Sequence, residues 1–362
     1  MLRLSRRLAT AAVCKKLGDP LSIVHDWKTP QVARGQVKIK VAAAGVNFAD
    51  ILQARGQYQD KAEPPFVPGN EAAGEVCEVG EGVKTLAIGD RVICLSRGGA
   101  YASETVADAR TCLKLPPSAA SADLAEAAAL LVNYGTAHLA LTSRAHLQSG
   151  ETVLVTAAAG GVGLATVELA RLMGASRVIA ACGSDAKLSI ATTKGADAKG
   201  INYAGLDGKA FRNRLKEFSA DGDRLKGGID VVVDMVGASL MASDGASDCL
   251  PHQVGGELLE PCIRSLAWNG RAVVIGFAAG QIPHIPANLL LVKNVSVSGL
   301  FWGAHLIHDP RMLMASSSQL IQWWLEGKIK PHVGARVSLE RANDAFGLVE
   351  GRTSTGKVVL IP

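Results

Sequence analysis

Residues 152–174 read TVLVTAAAGGVGLATVELARLMG, and this stretch decides the fold. The opening residues, TVLVTA, are apolar or β-branched, which is typical of a buried strand. The run Ala159-Gly160-Gly161-Val162-Gly163 follows, and its missing β-carbons let backbone N–H groups approach a pyrophosphate. A helix begins there, and its N-terminal dipole attracts an anion. The stretch therefore predicts a dinucleotide site.

The glycine pattern is degenerate, because Ala157 stands at the first glycine position of the usual motif. A glycine-rich turn that binds nothing is the alternative interpretation. A second predicted strand at residues 177–181 (RVIAA) completes a strand-helix-strand unit within about 30 residues, as nucleotide binding requires. This context favours the dinucleotide site.

The composition indicates a compact α/β protein with more than one domain: 362 residues, 48% hydrophobic, with 39 glycines. The net charge of +5 comes from the first 18 residues, since the rest of the chain has 33 basic and 33 acidic residues. This balance argues against a nucleic-acid partner. No run of 18 apolar residues exists, so we expect no membrane span.

The N-terminal residues 1–11 are rich in arginine and have no acidic residue, which is typical of a mitochondrial transit peptide. An ordinary frayed terminus and a cytoplasmic location are the alternatives. The seven cysteines include no pair with CxxC spacing, so we expect free thiols in a reducing compartment.

Strands and helices alternate from residue 152 to about 300, which predicts a doubly wound parallel sheet. Predicted strands of the sheet follow at residues 200–203, 229–235, 271–276 and 295–300. The N-terminal third instead predicts strands and turns, with strands at residues 37–42, 74–79 and 91–95. Helices are predicted at residues 121–144 and 311–327, and a last strand at residues 357–361.

Several segments together resemble the zinc-independent quinone oxidoreductases of the medium-chain dehydrogenase/reductase superfamily. They are AAAGVNFADILQARGQY (42–58), PFVPGNEAAGEVCEVGEGVKTLAIGDRV (65–92), NYGTAHLAL (133–141), the glycine-rich segment above, IDVVVDMVG (229–237) and NGRAVVIGFAAG (269–280). The resemblance implies a β-rich GroES-like substrate domain at residues 12–135 and 330–362. A Rossmann domain is implied at residues 136–329.

The same resemblance bears on zinc. Zinc alcohol dehydrogenases carry a cysteine ligand where this chain has Asn47 or its neighbour, and a histidine where it has Asn70. Zinc needs three or four converging N, S or O ligands, so we expect no metal. Without a Lewis acid, the substrate must be a small molecule that is already electrophilic, such as a quinone or an α,β-unsaturated carbonyl.

NADPH is the expected cofactor. The resemblance implies phosphate contacts from Gly183, Ser184 and Lys187, with Tyr203 closing that site, whereas Asp185 either favours NADH or only begins a helix. Further cofactor contacts implied by the resemblance, or by a position after a strand of the sheet, are Asn47, Thr136, Phe277, Phe301, Trp302 and Lys357. Each has a structural alternative. Asn47 would be a turn residue, Thr136 would lie on a helix surface, the three aromatic residues would belong to the core, and Lys357 would be solvated.

Tyr58, in Gly56-Gln57-Tyr58, resembles the tyrosine of enoyl-thioester reductases and is the candidate acid, with Asn47 beside it in the catalytic set. A non-catalytic cleft aromatic is the alternative for Tyr58.

Residues 238–255 depart from the family pattern and are interpreted as an inserted disordered loop. Metal binding by Cys249 and His252 within that loop is not favoured.

The sequence therefore predicts an NADPH-dependent, zinc-independent reductase of quinones or activated alkenes. Two alternatives stay open: a mitochondrial enoyl-thioester reductase, and a crystallin-like NADPH-binding protein with little turnover. The resemblance also implies a homodimer.

Overall fold

The computed structural model describes residues 8–218, 228–236, 258–278 and 282–362. The chain forms two compact units, the first running to Leu131 and including Ser317–Pro362, the second being Val132–Ser316. The boundaries predicted after residues 135 and 329 lie further along the chain. Gly135, in the middle of a helix, packs against Trp302 of the second unit, since a β-carbon there would lie 2.7 Å from the indole nitrogen.

The described residues form strands and helices with the following bounds. The strands are β1 Ala9–Val13, β2 Ser22–Trp27, β3 Gln36–Val46, β4 Glu71–Val79, β5 Arg91–Leu95, β6 Glu104–Asp108, β7 Cys112–Lys114, β8 Thr152–Thr156, β9 Arg177–Cys182, β10 Ile201–Asn202, β11 Ile229–Asp234, β12 Leu266–Val274, β13 Ser296–Gly299, β14 Val333–Ser338 and β15 Lys357–Ile361. The α-helices are α1 Phe48–Ala54, α2 Leu124–Ala127, α3 Leu131–Leu139, α4 Gly161–Leu172, α5 Asp185–Thr193, α6 Gly208–Lys216, α7 Leu259–Ser265, α8 Ala287–Lys293, α9 His305–His308, α10 Pro310–Leu325 and α11 Ala342–Glu350.

The second unit contains the predicted doubly wound sheet. Six parallel strands lie in the order β10-β9-β8-β11-β12-β13, so β8 is central and the strand order reverses beside it. Every residue of β8 is buried, as its apolar sequence predicts. Leu154, Ile179, Phe211 and Val232 pack in the core, each 0% exposed. The Rossmann expectation is confirmed.

The first unit is built on a sheet in the order β14-β15-β3-β4-β5-β7, with β6 also paired to β3. Neighbouring strands are antiparallel except β14 and β15, which are parallel. The last strand of the chain thus inserts next to β3. This pairing brings Lys357 at the start of β15 close to the C-terminal end of β3, where Val358 pairs with Val46.

Two expectations change. Residues 9–11 of the predicted leader belong to β1, where Ala9 and Ala11 are buried and pair with β2. The single helix predicted at residues 121–144 is divided into α2, α3 and a π-helical turn at Ala140–Arg144. Residues 238–255 lie outside the described residues, as do residues 1–7. No helix within the described ranges is long and apolar enough to cross a membrane.

Candidate functional sites of the two units

The glycine-rich segment of the second unit joins β8 to α4. Ala157 has φ +45°, the left-handed conformation that explains why glycine is usual at that position. Gly163 must be glycine for packing, because a β-carbon there would lie 2.3 Å from the Ala157 carbonyl oxygen. Gly160 differs from Gly163. The atom closest to a β-carbon built on Gly160 would be the same Ala157 carbonyl oxygen, at 3.3 Å. Gly160 therefore borders comparatively open space, as a ligand-facing glycine should.

The first turn of α4 is further shaped by its neighbours. A β-carbon on Gly161 would lie 2.4 Å from the Asn133 amide nitrogen, so the buried Asn133 packs directly on the helix start. Gly160 is the N-cap of α4, and no side chain caps the helix there. Its first backbone N–H groups are consequently not satisfied by a side-chain cap, which suits the binding of an anion.

A buried carboxylate fixes the carboxyl ends of the two central strands. Asp234, 0% exposed at the end of β11, accepts a hydrogen bond of 2.5 Å from the Thr156 hydroxyl at the end of β8. The Met235 N–H donates to the same hydroxyl at 3.1 Å. These residues were not singled out in the sequence, although a carboxylate closing the apolar run IDVVVD is a usable signal.

The predicted phosphate residues lie together at the end of β9. Ser184 is the N-cap of α5, and its hydroxyl accepts from the Lys187 N–H at 3.4 Å. The Tyr203 ring lies 3.6 Å from where a β-carbon on Gly183 would be. Asp185 begins α5, and its carboxylate accepts from the Asn202 amide at 3.0 Å. Asp185 is thus engaged by a protein donor, in line with its interpretation as a first-turn residue.

The other predicted contacts of the second unit differ in how far they are buried. Thr136 is buried, so the helix-surface alternative is wrong, and its hydroxyl donates to the Val132 carbonyl at 2.6 Å. Trp302 is buried against Gly135, whereas Phe277 and Phe301 are 37% and 49% exposed. Only the two phenylalanines present much of their surface outside the core.

In the first unit, Asn47, Glu71 and Lys357 form a buried polar cluster. The Lys357 ammonium, on a residue 2% exposed, donates to Glu71 Oε1 and to Asn47 Oδ1, the latter at 2.6 Å. Asn47 Nδ2 donates to Glu71 at 3.1 Å, so both ends of the amide are fixed. The alternative of a solvated Lys357 is wrong, because β15 carries this residue into the sheet beside β3.

Gly45 makes the space for this cluster. A β-carbon there would lie 2.5 Å from Glu71 Oε1, 2.6 Å from Lys357 Cε and 2.5 Å from the Ala128 carbonyl. Any larger residue would push the ion pair apart. The glycine before Val46 and Asn47 therefore has a packing role that its position in a strand does not reveal.

Asp50 adjoins the cluster from α1. Its carboxylate accepts from the Tyr101 hydroxyl at 2.7 Å, the Asn47 N–H at 2.9 Å and Asn70 Nδ2 at 2.5 Å. Burial raises the pKa of Asp50, and these donors together with the charge of Lys357 partly offset that rise. The spacing Asn47-x-x-Asp50 is typical of a capping box, a signal that the sequence offered.

Tyr58 lies in the loop after α1 and is half-buried. Burial raises the pKa of its phenol, and the nearby charges of Asp50 and Asp60 add to the effect. Tyr58 therefore stays protonated at neutral pH, as a hydrogen-bond or proton donor must.

The residues at the expected zinc-ligand positions do not fit that metal. Asn47 and Asn70 are amides, each already bonded to a neighbouring side chain, and the Lys357 cation adjoins Asn47. Zinc in proteins prefers thiolate, imidazole and carboxylate ligands. No group of three His, Cys, Asp or Glu side chains suited to a metal is found in the part of the chain that the structure describes.

Comparisons with known proteins agree with this architecture. Residues 33–117 match the alcohol dehydrogenase GroES-like domain family, and residues 161–247 and 208–360 match zinc-binding dehydrogenase families. Mouse quinone oxidoreductase-like protein 2 is 43% identical over 97% of this chain and 91% of its own. The NADPH complex of Escherichia coli quinone oxidoreductase has a TM-score of 0.80 at 28% identity, covering 98% of this chain and 100% of that one. The Thermus thermophilus quinone oxidoreductase, also solved with NADPH, has a TM-score of 0.77 at 32% identity, with coverage of 98% and 100%.

Replacing Lys357 by methionine is expected to destabilise the protein by about 3–5 kcal/mol, because it leaves the Glu71 carboxylate buried without its cation. Combining Lys357→Met with Glu71→Gln removes the uncompensated charge and should recover much of the loss. Urea unfolding of the two variants measures the difference. Equal stability of the single and double variants would show that the ion pair is not the reason for the loss.

The stability contribution of Asp50 is expected to depend on pH. Its pKa is raised by burial in the folded state, so the folded protein holds that proton to higher pH than the unfolded chain. Stability should therefore fall as pH rises upward from the ordinary value of 3.8, until the raised pKa is passed. Asp50→Asn cannot ionise and should lack this component. The free energy of unfolding of both proteins, measured by urea denaturation from pH 4 to 8, tests this prediction. It is contradicted if the stability difference between wild type and Asp50→Asn is constant with pH, or if wild type gains stability relative to the variant as pH rises.

Proposed function

Because the chain belongs to the quinone oxidoreductase family of the medium-chain dehydrogenases/reductases, we propose that it reduces quinones or α,β-unsaturated carbonyls with NADPH and without zinc. Its membership makes it an oxidoreductase. The observation that carries the finer proposal is the cluster of Asn47, Glu71 and Lys357, in which Asn47 is bonded to a carboxylate and an ammonium. By the family resemblance, zinc alcohol dehydrogenases carry a cysteine ligand at Asn47 or its neighbour. Without zinc to polarise a carbonyl, a substrate activated by its own conjugation suits this site best.

The cofactor assignment is supported by the second unit. The open approach to Gly160 and the uncapped start of α4 suit a pyrophosphate, with Gly161, Val162 and Gly163 in the same turn. Ser184, Lys187 and Tyr203 offer a hydroxyl, a cation and a ring near the end of β9, which suit a ribose 2′-phosphate. The NADPH complexes of the two bacterial relatives agree with this choice. When bound, NADPH supplies the hydride.

The chain's own contribution to the chemistry is hydrogen bonding to the acceptor. Hydride addition to a conjugated acceptor leaves negative charge on an oxygen, which a donor stabilises. Asn47 Nδ2 donates to Glu71 at 3.1 Å and, more weakly, to the Gly45 carbonyl at 3.4 Å, so a hydrogen bond to the acceptor would replace the longer of the two. The phenol of Tyr58 is protonated at neutral pH, since its pKa lies above the ordinary value of 10.0. Asn47 serves as donor and Tyr58 as proton source in this proposal. Homodimerisation and a mitochondrial location stay predictions.

Lys187→Ala should weaken NADPH binding about 10- to 100-fold, because a charged hydrogen bond to the 2′-phosphate is lost, and should leave NADH binding nearly unchanged. Fluorescence titration of both cofactors measures the two dissociation constants. Lys209→Ala, which removes an exposed lysine on α6, is the matched control. An equal loss for NADPH and NADH would contradict the assignment of the phosphate site.

The acceptor class is tested by NADPH oxidation with 1,2-naphthoquinone, a simple enone and an enoyl thioester. We expect turnover with the first two. Tyr58→Phe should lower kcat with the enone about 100-fold, since a general acid is lost, and should affect the quinone less. A strong preference for the thioester would favour an enoyl-thioester reductase. Tight NADPH binding without turnover would favour a binding protein, and an unchanged kcat of Tyr58→Phe on both acceptors removes its catalytic role.

A further inference from the structure

A cavity of about 360 Å³ lies within the first unit, among residues that the proposed chemistry does not use. Its wall is formed by the end of β2 and the residues after it, by β6, by the last turn of α1, and by the turn Arg97–Gly99. All of these belong to the first unit. The volume falls within the range of small-molecule sites, about 300–1,000 Å³.

Unpaired polar atoms concentrate on this wall. The side-chain oxygens of Thr29, Gln53 and Thr105 are buried and have no hydrogen-bond partner, and all three residues line the cavity. Among the described side chains of the first unit, no other buried nitrogen or oxygen is unpaired. Buried polar groups in proteins are nearly always satisfied, so three exceptions at one cavity point to a ligand. Thr105 is the most deeply placed, at 2% exposure.

The turn beside Thr105 is held in a fixed conformation. Gly98 and Gly99 both have left-handed backbones, with φ +88° and +90°. The Gly98 N–H donates to Asn70 Oδ1 at 3.2 Å and the Gly99 N–H to the Val67 carbonyl at 2.7 Å. A β-carbon on Gly99 would lie 3.1 Å from the Thr105 hydroxyl, so glycine lets the backbone approach that oxygen. This part of the cavity wall therefore has a fixed backbone before any ligand binds.

The remaining wall indicates the chemistry of the occupant. Trp27, Phe66 and Val67 supply apolar surface, two of them aromatic. The side chains of Arg97 and Glu104 carry opposite charges, so the wall has no net charge. A neutral wall disfavours an ionic ligand. A cavity of about 150 Å³ holds a benzene molecule, so this larger one has room for two fused rings.

We propose that this cavity binds a neutral hydroxylated compound of one or two rings. The ligand hydroxyl donates to the Gln53 amide oxygen, which can only accept, or exchanges hydrogen bonds with the hydroxyls of Thr29 and Thr105. In the free protein the three oxygens have almost no accessible surface, so rotation about χ1 of the threonines or about the terminal torsion of Gln53 presents them to the ligand. The rings lie against Trp27 and Phe66. The site requires neither NADPH nor turnover, so it does not depend on the proposed function.

The test is calorimetric titration of the full chain, without NADPH, with 1-naphthol and with naphthalene. A compound of about eleven heavy atoms in such a site should bind with a dissociation constant of about 0.1 mM or tighter. Naphthalene should bind more weakly because it leaves the wall oxygens unpaired. Thr105→Val, which keeps the shape and removes the hydroxyl, should weaken 1-naphthol about three- to tenfold and naphthalene little.

Two further variants locate the binding. Ala62→Phe fills the cavity and should abolish binding of both compounds, since Ala62 lines its wall. Ser298→Ala removes a buried unpaired hydroxyl of the second unit and should change neither affinity. Circular dichroism confirms that each variant is folded. The proposal is overturned if 1-naphthol does not saturate below about 1 mM, if naphthalene binds equally well, or if Thr105→Val and Ala62→Phe both bind like wild type.

Discussion

The ion pair between Lys357 and Glu71 is the interaction on which the first unit depends. It joins β15, the last strand of the chain, to the start of β4, and the two partners are 286 positions apart. Both residues are almost fully buried, so each charge would be costly without the other. Gly45 makes the space, and Asn47 shares the ammonium. The position of β15 in the sheet and the orientation of the Asn47 amide are therefore coupled.

The chain matches families described as zinc-binding, yet its residues at the expected ligand positions do not fit zinc. The cluster around Lys357 gives a physical reason. A buried cation is present in the cluster, but it is the covalently attached ammonium of Lys357. An ammonium donates hydrogen bonds and has no vacant orbital, so it cannot polarise an unactivated carbonyl as a Lewis acid does. The proposed preference for conjugated acceptors rests on this difference between an ammonium and a Lewis acid.

Local patterns predicted the strands of both units, including those at residues 91–95 and 357–361, but not the polar cluster of the first unit. The strand, glycine turn and helix at residues 152–174 are contiguous, so their sequence suffices to predict them, and only the left-handed backbone of Ala157 needed the structure. The cluster of Asn47, Glu71 and Lys357 is assembled by strand pairing over long sequence separations, which no local pattern reveals. Tyr101 escaped notice for the same reason, because its contact with Asp50 joins segments 51 residues apart. Asp50 itself could have been found from its capping-box spacing to Asn47.

The most direct test of zinc-independent reduction is to measure whether the activity depends on bound metal. The protein is dialysed against a chelator, its zinc content is measured by mass spectrometry, and NADPH-dependent reduction of an enone is assayed before and after. The account predicts full activity with zinc well below one atom per chain. Activity that falls with the metal and returns when zinc is added would contradict it.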